Sequence, residues 1–112
     1  MRLPSIIDIS TEEDKVCLTL KINKELRAFD GHFDVAPIIP GVVQLSWAII
    51  FADQHIRKLD PAQVKKLEVV KFQNIIEPET VLNLEIVLKE HILVFAYSND
   101  NKKYSSGKIV VA

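Results

Sequence analysis

Residues 40–59 read PGVVQLSWAIIFADQHIRKL, and this stretch decides the fold class. Apolar side chains recur in it three and four residues apart, which is the period of an α-helix. The residues that keep this spacing are Val42, Leu45, Ile49 and Ala52. Pro40 opens the run, as is typical of a helix start, and Val43 and Trp47 make most of the circumference apolar. We therefore predict a helix over Val42–Leu59 that other structure surrounds on several sides.

The segments on either side of this helix alternate between apolar and polar residues, as strands with one buried face do. The first such strand is predicted over Lys15–Asn23. The later strands are predicted at Val64–Phe72, Val81–Leu88, Ile92–Tyr97 and Ser105–Val111, with a turn at Ser98–Asn101. This order predicts an α+β fold in which an antiparallel sheet wraps around a central helix. No repeat or linker interrupts the chain, so we expect one domain, residues 1–112.

Composition excludes several classes of function. Lysine and arginine number 14 against 15 aspartates and glutamates, so no broad positive field attracts nucleic acid. Cys17 is the single cysteine, which excludes an internal disulfide, and the histidines lack metal-ligand spacing, so no metal is predicted. The N-terminus, Met1–Ser10, lacks the apolar core of a secretory signal, and no apolar run approaches the ~20 residues of a membrane-spanning helix. We expect a cytoplasmic protein without membrane insertion.

The densest cluster of special residues precedes the helix. Residues 29–33 read FDGHF and residues 37–44 read PIIPGVVQ. This stretch resembles the signature of the hotdog-fold 3-hydroxyacyl-acyl-carrier-protein dehydratases. The likeness continues through KFQ at 71–73 and IEPET at 76–80, and so spans nearly the whole chain. The Ser-Trp-Ala after the motif and YSSG at 104–107 most resemble the dehydratase-like proteins of aryl polyene gene clusters.

The resemblance implies a single hotdog domain that removes water from a (3R)-3-hydroxyacyl thioester, or adds it, in fatty acid or polyene biosynthesis. Dehydration needs a base of near-neutral pKa in a dry pocket, and His32 can supply it. The charge that develops on the thioester oxygen needs preorganised donors, which a helix start at Pro40 and Gly41 offers. The family assigns the same roles, His32 as base and the Gly41 amide as donor, and implies that Val42 and Phe33 bind substrate. The chemistry needs no cofactor.

The family's second catalytic residue is an acid on the central helix, and here the sequence departs from the pattern. Alignment of the motif without gaps places Ser46 where related dehydratases carry Glu or Asp. A serine can orient the substrate hydroxyl but is a poor proton donor, and loss of a general acid removes ~10²–10⁴-fold in rate. Ser46 is expected to face inward on the helix. Asp30, Asp34 and Asp53 are other candidates for the acid, although each is more typical of a surface or loop charge.

Several other residues can be interpreted either as structural or as functional. His55 is predicted to complement the helix C-terminus and His91 to lie in a turn. Trp47 and Phe51 are typical of core or dimer packing, with an acyl tunnel as the alternative. Residues 104–107 are predicted as a turn, with a phosphopantetheine contact as the alternative. The exposed lysines, a candidate rim for an acidic carrier protein, are Lys65, Lys66, Lys71, Lys102 and Lys103.

The resemblance also implies the partners. The expected substrate is a thioester of acyl carrier protein or coenzyme A. The family pairs protomers into a continuous sheet, so we expect a homodimer or a dimer of dimers with His32 of one chain near Ser46 of the other. Two alternatives remain at this point: a hotdog thioesterase, and a non-catalytic acyl-binding partner subunit that lost the family acid at Ser46.

Overall fold

A six-stranded antiparallel sheet and one α-helix make up the part of the chain that the structure describes, residues 3–26 and 38–112 of a computed structural model. In chain order the elements are β1 (Ser5–Thr11), β2 (Lys15–Lys21), α1 (Gly41–His55), a 3-10 helix (Pro61–Gln63), β3 (Val64–Phe72), β4 (Val81–Lys89), β5 (Ile92–Ser98) and β6 (Lys103–Val111). The strand order is β1-β2-β4-β5-β6-β3. β1 and β3 are therefore the edge strands.

Alternation of side chains gives the sheet one buried face. Leu18 of β2 lies opposite Leu84 of β4, which lies opposite Tyr97 of β5. The row continues through Ser105 of β6 to Phe72 of β3. The first four of these side chains are buried and Phe72 is half-exposed, so the row runs from the core to the β3 edge.

α1 packs on that buried face. Trp47, Ala48 and Phe51 have no exposed surface, which confirms the structural reading of the two aromatic residues as core. The helix ends at His55, four residues before the predicted end at Leu59. Asp53 explains the early end, because its Oδ1 accepts a hydrogen bond from the Leu59 amide at 2.7 Å. Within the described residues no helix is long and apolar enough to cross a membrane.

The first strand was not predicted. β1 precedes the strand that we expected to be first, and its seven residues are all exposed. Its register with β2 shifts between Ile6 and Asp8, so Ile7 is an extra residue and the apolar positions lose their period of two. An irregular edge strand whose residues are all exposed gives no alternating signal.

The turn prediction for residues 104–107 was wrong. These residues lie inside β6, where Tyr104, Ser105 and Gly107 are buried. The turn comes earlier, as predicted for the Ser98–Asn101 stretch: the Asn99 amide donates to the Lys102 carbonyl at 2.9 Å. Serine and glycine here mark close packing within a strand.

β3 carries a bulge at the sheet edge. Its register with β6 shifts between Glu68 and Lys71, and Val69 has a φ of 49°, an unusual value for a β-branched residue. Leu67 and Phe72 on this strand are 49% and 54% exposed. The edge therefore presents apolar side chains beside backbone groups that no neighbouring described strand pairs.

Candidate functional site

A cavity lies at the start of α1. It has a volume of about 290 Å³ and lies between the segment that enters the helix and the end of β3. The lining residues are Ile38, Ile39, Pro40, Gly41, Gln44, Phe72, Gln73, Asn74 and Ile75. The cavity thus joins the motif that the sequence singled out to the edge of the sheet.

The start of α1 lines this cavity. Pro40 is the N-cap residue, with extended backbone at φ −62° and ψ 151°, and among the described residues no side chain caps the helix. The first turn contains no acid. The first amides of a helix have no intrahelical acceptor and carry the positive end of its dipole. This end of α1 can therefore bind an oxygen that gains negative charge.

Gly41 lies in close contact with an aromatic ring of the sheet. A Cβ atom at this position would lie 2.6 Å from Cζ and 2.8 Å from Cε1 of Phe72. The aromatic ring of β3 therefore rests against the backbone of the first helical residue. Glycine leaves room for that ring and for a ligand that approaches the amide.

Gln44 is a buried polar residue one turn into the helix. The residue is only 3% exposed. Its Nε2 donates to the Ile39 carbonyl at 3.1 Å, and its Oε1 accepts from the Ser105 hydroxyl at 2.6 Å. Both ends of the amide are thus satisfied without water, as a buried polar group requires.

Tyr97 completes this polar cluster from below. Its hydroxyl donates to the Gln44 backbone carbonyl at 2.6 Å. Burial raises the pKa of Tyr97 well above its ordinary value, because the phenolate would lose its hydration. The hydroxyl therefore remains a hydrogen-bond donor under ordinary conditions.

Ser46 lies on the same helix and is half-buried. Its hydroxyl donates to the Val42 carbonyl at 3.0 Å, so its proton is directed back along the helix. Val42 itself is 69% exposed. In this conformation Ser46 offers lone pairs, and not a proton, to a group outside the helix.

Several of the predicted site residues lie outside the described residues. These are His32, Phe33, Asp30 and Asp34. Gly41, Val42 and Ser46 are described, and they lie together in the first turns of α1. The structure therefore describes the helix half of the predicted site.

Among the remaining candidates, Asp53 and His55 make structural contacts. Asp53 lies at the opposite end of α1, where it binds the Leu59 amide. His55 stacks on Phe51 with ring centroids 6.2 Å apart, so it packs against the core in addition to ending the helix. His91 lies in the turn between β4 and β5, as expected. Across residues 3–26 and 38–112, no three His, Cys, Asp or Glu side chains form a group suited to a metal.

Gln44, Ser105 and Phe72 were not predicted as site residues. Gln44 could have been noticed, because it is the one amide in the first half of the predicted helix, where every other residue except Ser46 is apolar. Phe72 gave no such signal, and Ser105 was singled out only within residues 104–107, with a phosphopantetheine contact as the alternative to a turn. The positions of both residues depend on strand pairing between distant segments.

A helix on one face of a six-stranded antiparallel sheet is the hotdog architecture, and the open helix start in a cavity is its candidate site. The ApeI-like family, described as ApeI dehydratase, matches residues 8–108, and the chain belongs to this family. The family and fold expected from the sequence are thereby confirmed.

Solved structures agree with this assignment. The chain is similar to a chain of the dehydratase heterocomplex ApeI:P from Xenorhabdus doucetiae, with 31% identity, a TM-score of 0.89 and 99% of both chains covered. It is also similar to an uncharacterized protein from Erwinia carotovora subsp. atroseptica, with 30% identity and a TM-score of 0.79, over 99% of this chain and 97% of that one. A search of curated proteins finds no match.

Proposed function

We propose that the protein is a (3R)-3-hydroxyacyl thioester dehydratase, or the reverse hydratase, whose substrate is carried by acyl carrier protein or coenzyme A. The observation that carries the proposal is the helix start at Gly41, which opens into a cavity of about 290 Å³ without a side-chain cap from the described residues. Membership of the ApeI-like dehydratase family supports this class of reaction.

The proposed mechanism divides the work between two groups. The imidazole of His32 removes a proton from C2 of the substrate, and the electron pair moves toward the thioester carbonyl. The Gly41 amide donates a hydrogen bond to that oxygen as its negative charge grows. The electron pair then forms the C2–C3 double bond, the C3–O bond breaks, and the hydroxyl leaves as water with a proton returned by imidazolium or solvent.

Ser46 has an orienting role in this mechanism. Because its proton is given to the Val42 carbonyl, its oxygen can accept a hydrogen bond from the substrate 3-hydroxyl or from water. A serine hydroxyl does not release a proton near neutral pH, so departure of the hydroxyl is assisted less than by a carboxylic acid. We expect slower turnover than a carboxylic acid at this position would give.

A second candidate function follows from the same residue. The protein would be an acyl-binding partner subunit if Ser46 leaves the site too weak for turnover. The similar chain of the ApeI:P structure is part of a dehydratase heterocomplex, which supports a partner for this chain as well. A thioesterase has less support, because Asp53, the one acid of α1, is engaged with Leu59 at the far end of the helix.

We further propose that two protomers pair through β3. This edge strand exposes Leu67 and Phe72, and Phe72 also lines the cavity. A second protomer on this edge would extend the sheet, cover both side chains and close the cavity on its open side. The assembly would be a homodimer or dimer of dimers, or a heterodimer in the partner-subunit case.

Hydration of a trans-2-enoyl thioester on acyl carrier protein tests the proposal, with loss of the conjugated-enoyl absorbance as the readout. The set is the wild type, His32→Ala, Ser46→Asp, and His91→Ala as a matched histidine control in a turn. We expect His32→Ala to abolish turnover, His91→Ala to leave it unchanged, and Ser46→Asp to raise it.

The outcomes separate the candidates. An inert wild type with an active Ser46→Asp variant would favour the partner subunit. Equal rates for His32→Ala and His91→Ala would remove His32 from the mechanism. Inactivity of all four folded proteins, alone and with an added dehydratase partner, would refute the dehydratase proposal.

A further inference from the structure

The amide of Gln44 is a buried group that the mechanism above does not use. It is 3% exposed in a helix whose other buried residues are apolar. A polar side chain in such a place lowers stability unless its bonds are complete, and a leucine would be simpler for packing alone. The presence of an amide at this position is therefore best explained by the two groups to which its ends are hydrogen-bonded.

One end fixes the segment that enters the helix. Ile39 donates its amide to the Ile76 carbonyl at 2.9 Å and accepts from Gln44 Nε2 at 3.1 Å. Ile39 is thus held on both sides, and the next residue is Pro40, whose ring restricts φ. The Gly41 amide shares its peptide plane with the Pro40 carbonyl, which accepts from the Val43 and Gln44 amides at 3.1 Å each. The two hydrogen bonds of Ile39 therefore fix the segment from which this plane starts, and the first helical hydrogen bonds, one of them from Gln44 itself, orient the plane.

The other end ties this arrangement to the sheet. Ser105 donates to Gln44 Oε1 at 2.6 Å, and Ser105 is only 2% exposed. Tyr97, on the neighbouring strand, donates to the Gln44 backbone carbonyl at 2.6 Å. Side chain and backbone of one residue thus bind the helix start to β5 and β6, two inner strands of the sheet.

We propose that Gln44 is a positioning residue, which holds the Gly41 amide in the direction needed to donate to the thioester carbonyl. Its primary amide is the neutral group that can donate at one end, to Ile39, and accept at the other, from Ser105. The inference rests on the proposed function for its catalytic consequence, but the orientation of the Gly41 amide can be measured without substrate.

Gln44→Glu gives a test with its own internal switch. A protonated glutamic acid has nearly the shape of glutamine, and it can donate to Ile39 and accept from Ser105. When it ionises it becomes an acceptor at both oxygens and opposes the Ile39 carbonyl. Burial raises the pKa of such a carboxyl, so the switch is expected above the ordinary range of glutamate.

Other groups around Gln44 do not confuse this titration. Of its described hydrogen-bond partners, Ile39 contributes a backbone carbonyl and Ser105 a hydroxyl that does not titrate in this range. Tyr97 is titratable, but burial raises its pKa and it stays protonated. Division of the activity of the variant by that of the wild type at each pH removes the pH dependence that the two proteins share, so the ratio isolates residue 44.

We expect that ratio to fall roughly 10- to 100-fold as the carboxyl ionises, mainly in kcat, because a displaced donor weakens the transition state. The substrate-free readout is the ¹H–¹⁵N resonance of Gly41, which should shift with the same midpoint in Gln44→Glu and stay constant in the wild type. Gln44→Met, which fills the space without either hydrogen bond, should resemble the ionised variant at every pH.

The two proposals fail separately in this experiment. A Gly41 resonance that does not follow the titration, together with wild-type resonance in Gln44→Met, would overturn the positioning role whatever the activity. The opposite result is a wild type without turnover, together with Gln44 variants whose Gly41 resonance shifts as expected. That result would overturn the dehydratase proposal and leave the positioning role intact. If Gln44→Glu does not fold at high pH, Gln44→Met decides at a single pH.

Discussion

Alanine substitutions at the two described glycines should separate stability from function. In Gly41→Ala the new Cβ would lie 2.6 Å from Phe72 Cζ. Carbon atoms are in comfortable contact at about 3.5–4.0 Å, so the ring tip must withdraw by about 1 Å. Phe72 is 54% exposed and can turn toward solvent, and alanine favours the helix over glycine by about 0.5–1 kcal/mol. We expect a net change in unfolding free energy below about 1 kcal/mol.

The control, Gly107→Ala, meets neighbours that cannot move. Its Cβ would lie 3.0 Å from Phe95 Cε2 and 3.2 Å from the Val70 Cα. Phe95 is 1% exposed, and a Cα atom moves only with its strand. We expect a loss of about 1–3 kcal/mol, the usual range for overpacking.

Urea unfolding should then rank Gly41→Ala above Gly107→Ala in stability, and enoyl-thioester hydration should rank Gly107→Ala above Gly41→Ala in turnover. Gly41→Ala should be nearly as stable as wild type but lose on the order of 10²-fold in kcat, since its methyl group stands beside the amide donor. Gly107→Ala should be less stable but retain its activity per folded molecule. Full turnover by Gly41→Ala would refute the need for open space beside that amide, and a larger stability loss in Gly41→Ala than in Gly107→Ala would refute the account of Phe72.

Three further predictions concern the edge, the buried phenol and the helix end. Leu67→Glu should shift the protein from dimer to monomer in sedimentation velocity, whereas Ile7→Glu on the opposite edge should not; equal behaviour would exclude β3 as the interface. Because burial raises the pKa of Tyr97, the folded protein retains a proton that the unfolded chain releases near pH 10, so stability is complete below about pH 10 and falls above it. Urea midpoints of Tyr97→Phe should lack this part of the alkaline decline, and an unchanged slope would contradict the assignment. Asp53→Ala should cost about 1 kcal/mol in thermal unfolding, through loss of the hydrogen bond to the Leu59 amide, without an effect on turnover.

The sheet was largely predictable because burial on one face leaves a regular trace in the sequence. β3 has the predicted bounds, Val64–Phe72, and β4 and β5 differ from their predictions by one residue each. The helix was predicted too long, since Ile56 and Leu59 continue the apolar pattern while Asp53 ends the helix through a contact that periodicity does not encode.

The site was predictable only where local sequence carries the chemistry. Gly41 and Ser46 follow from the motif and its spacing. Gln44 matters through Ser105, which is 61 residues away, and through Tyr97, which is 53 residues away. Such partners become visible only when strand order and register are known.

The bulge in β3 changes the parity of the strand. Leu67 lies opposite Ile109, and Phe72 lies opposite Ser105, so both point to the helix side of the sheet although five residues separate them. In a regular strand an odd separation places two side chains on opposite faces. The extra residue at Val69 therefore brings the Phe72 ring to Gly41, and loss of the bulge without loss of a residue would turn Phe72 outward and Lys71 inward. Deletion of Val69 itself should keep Phe72 opposite Ser105, because it removes the extra residue together with the bulge, whereas a further insertion would need a second bulge to do so.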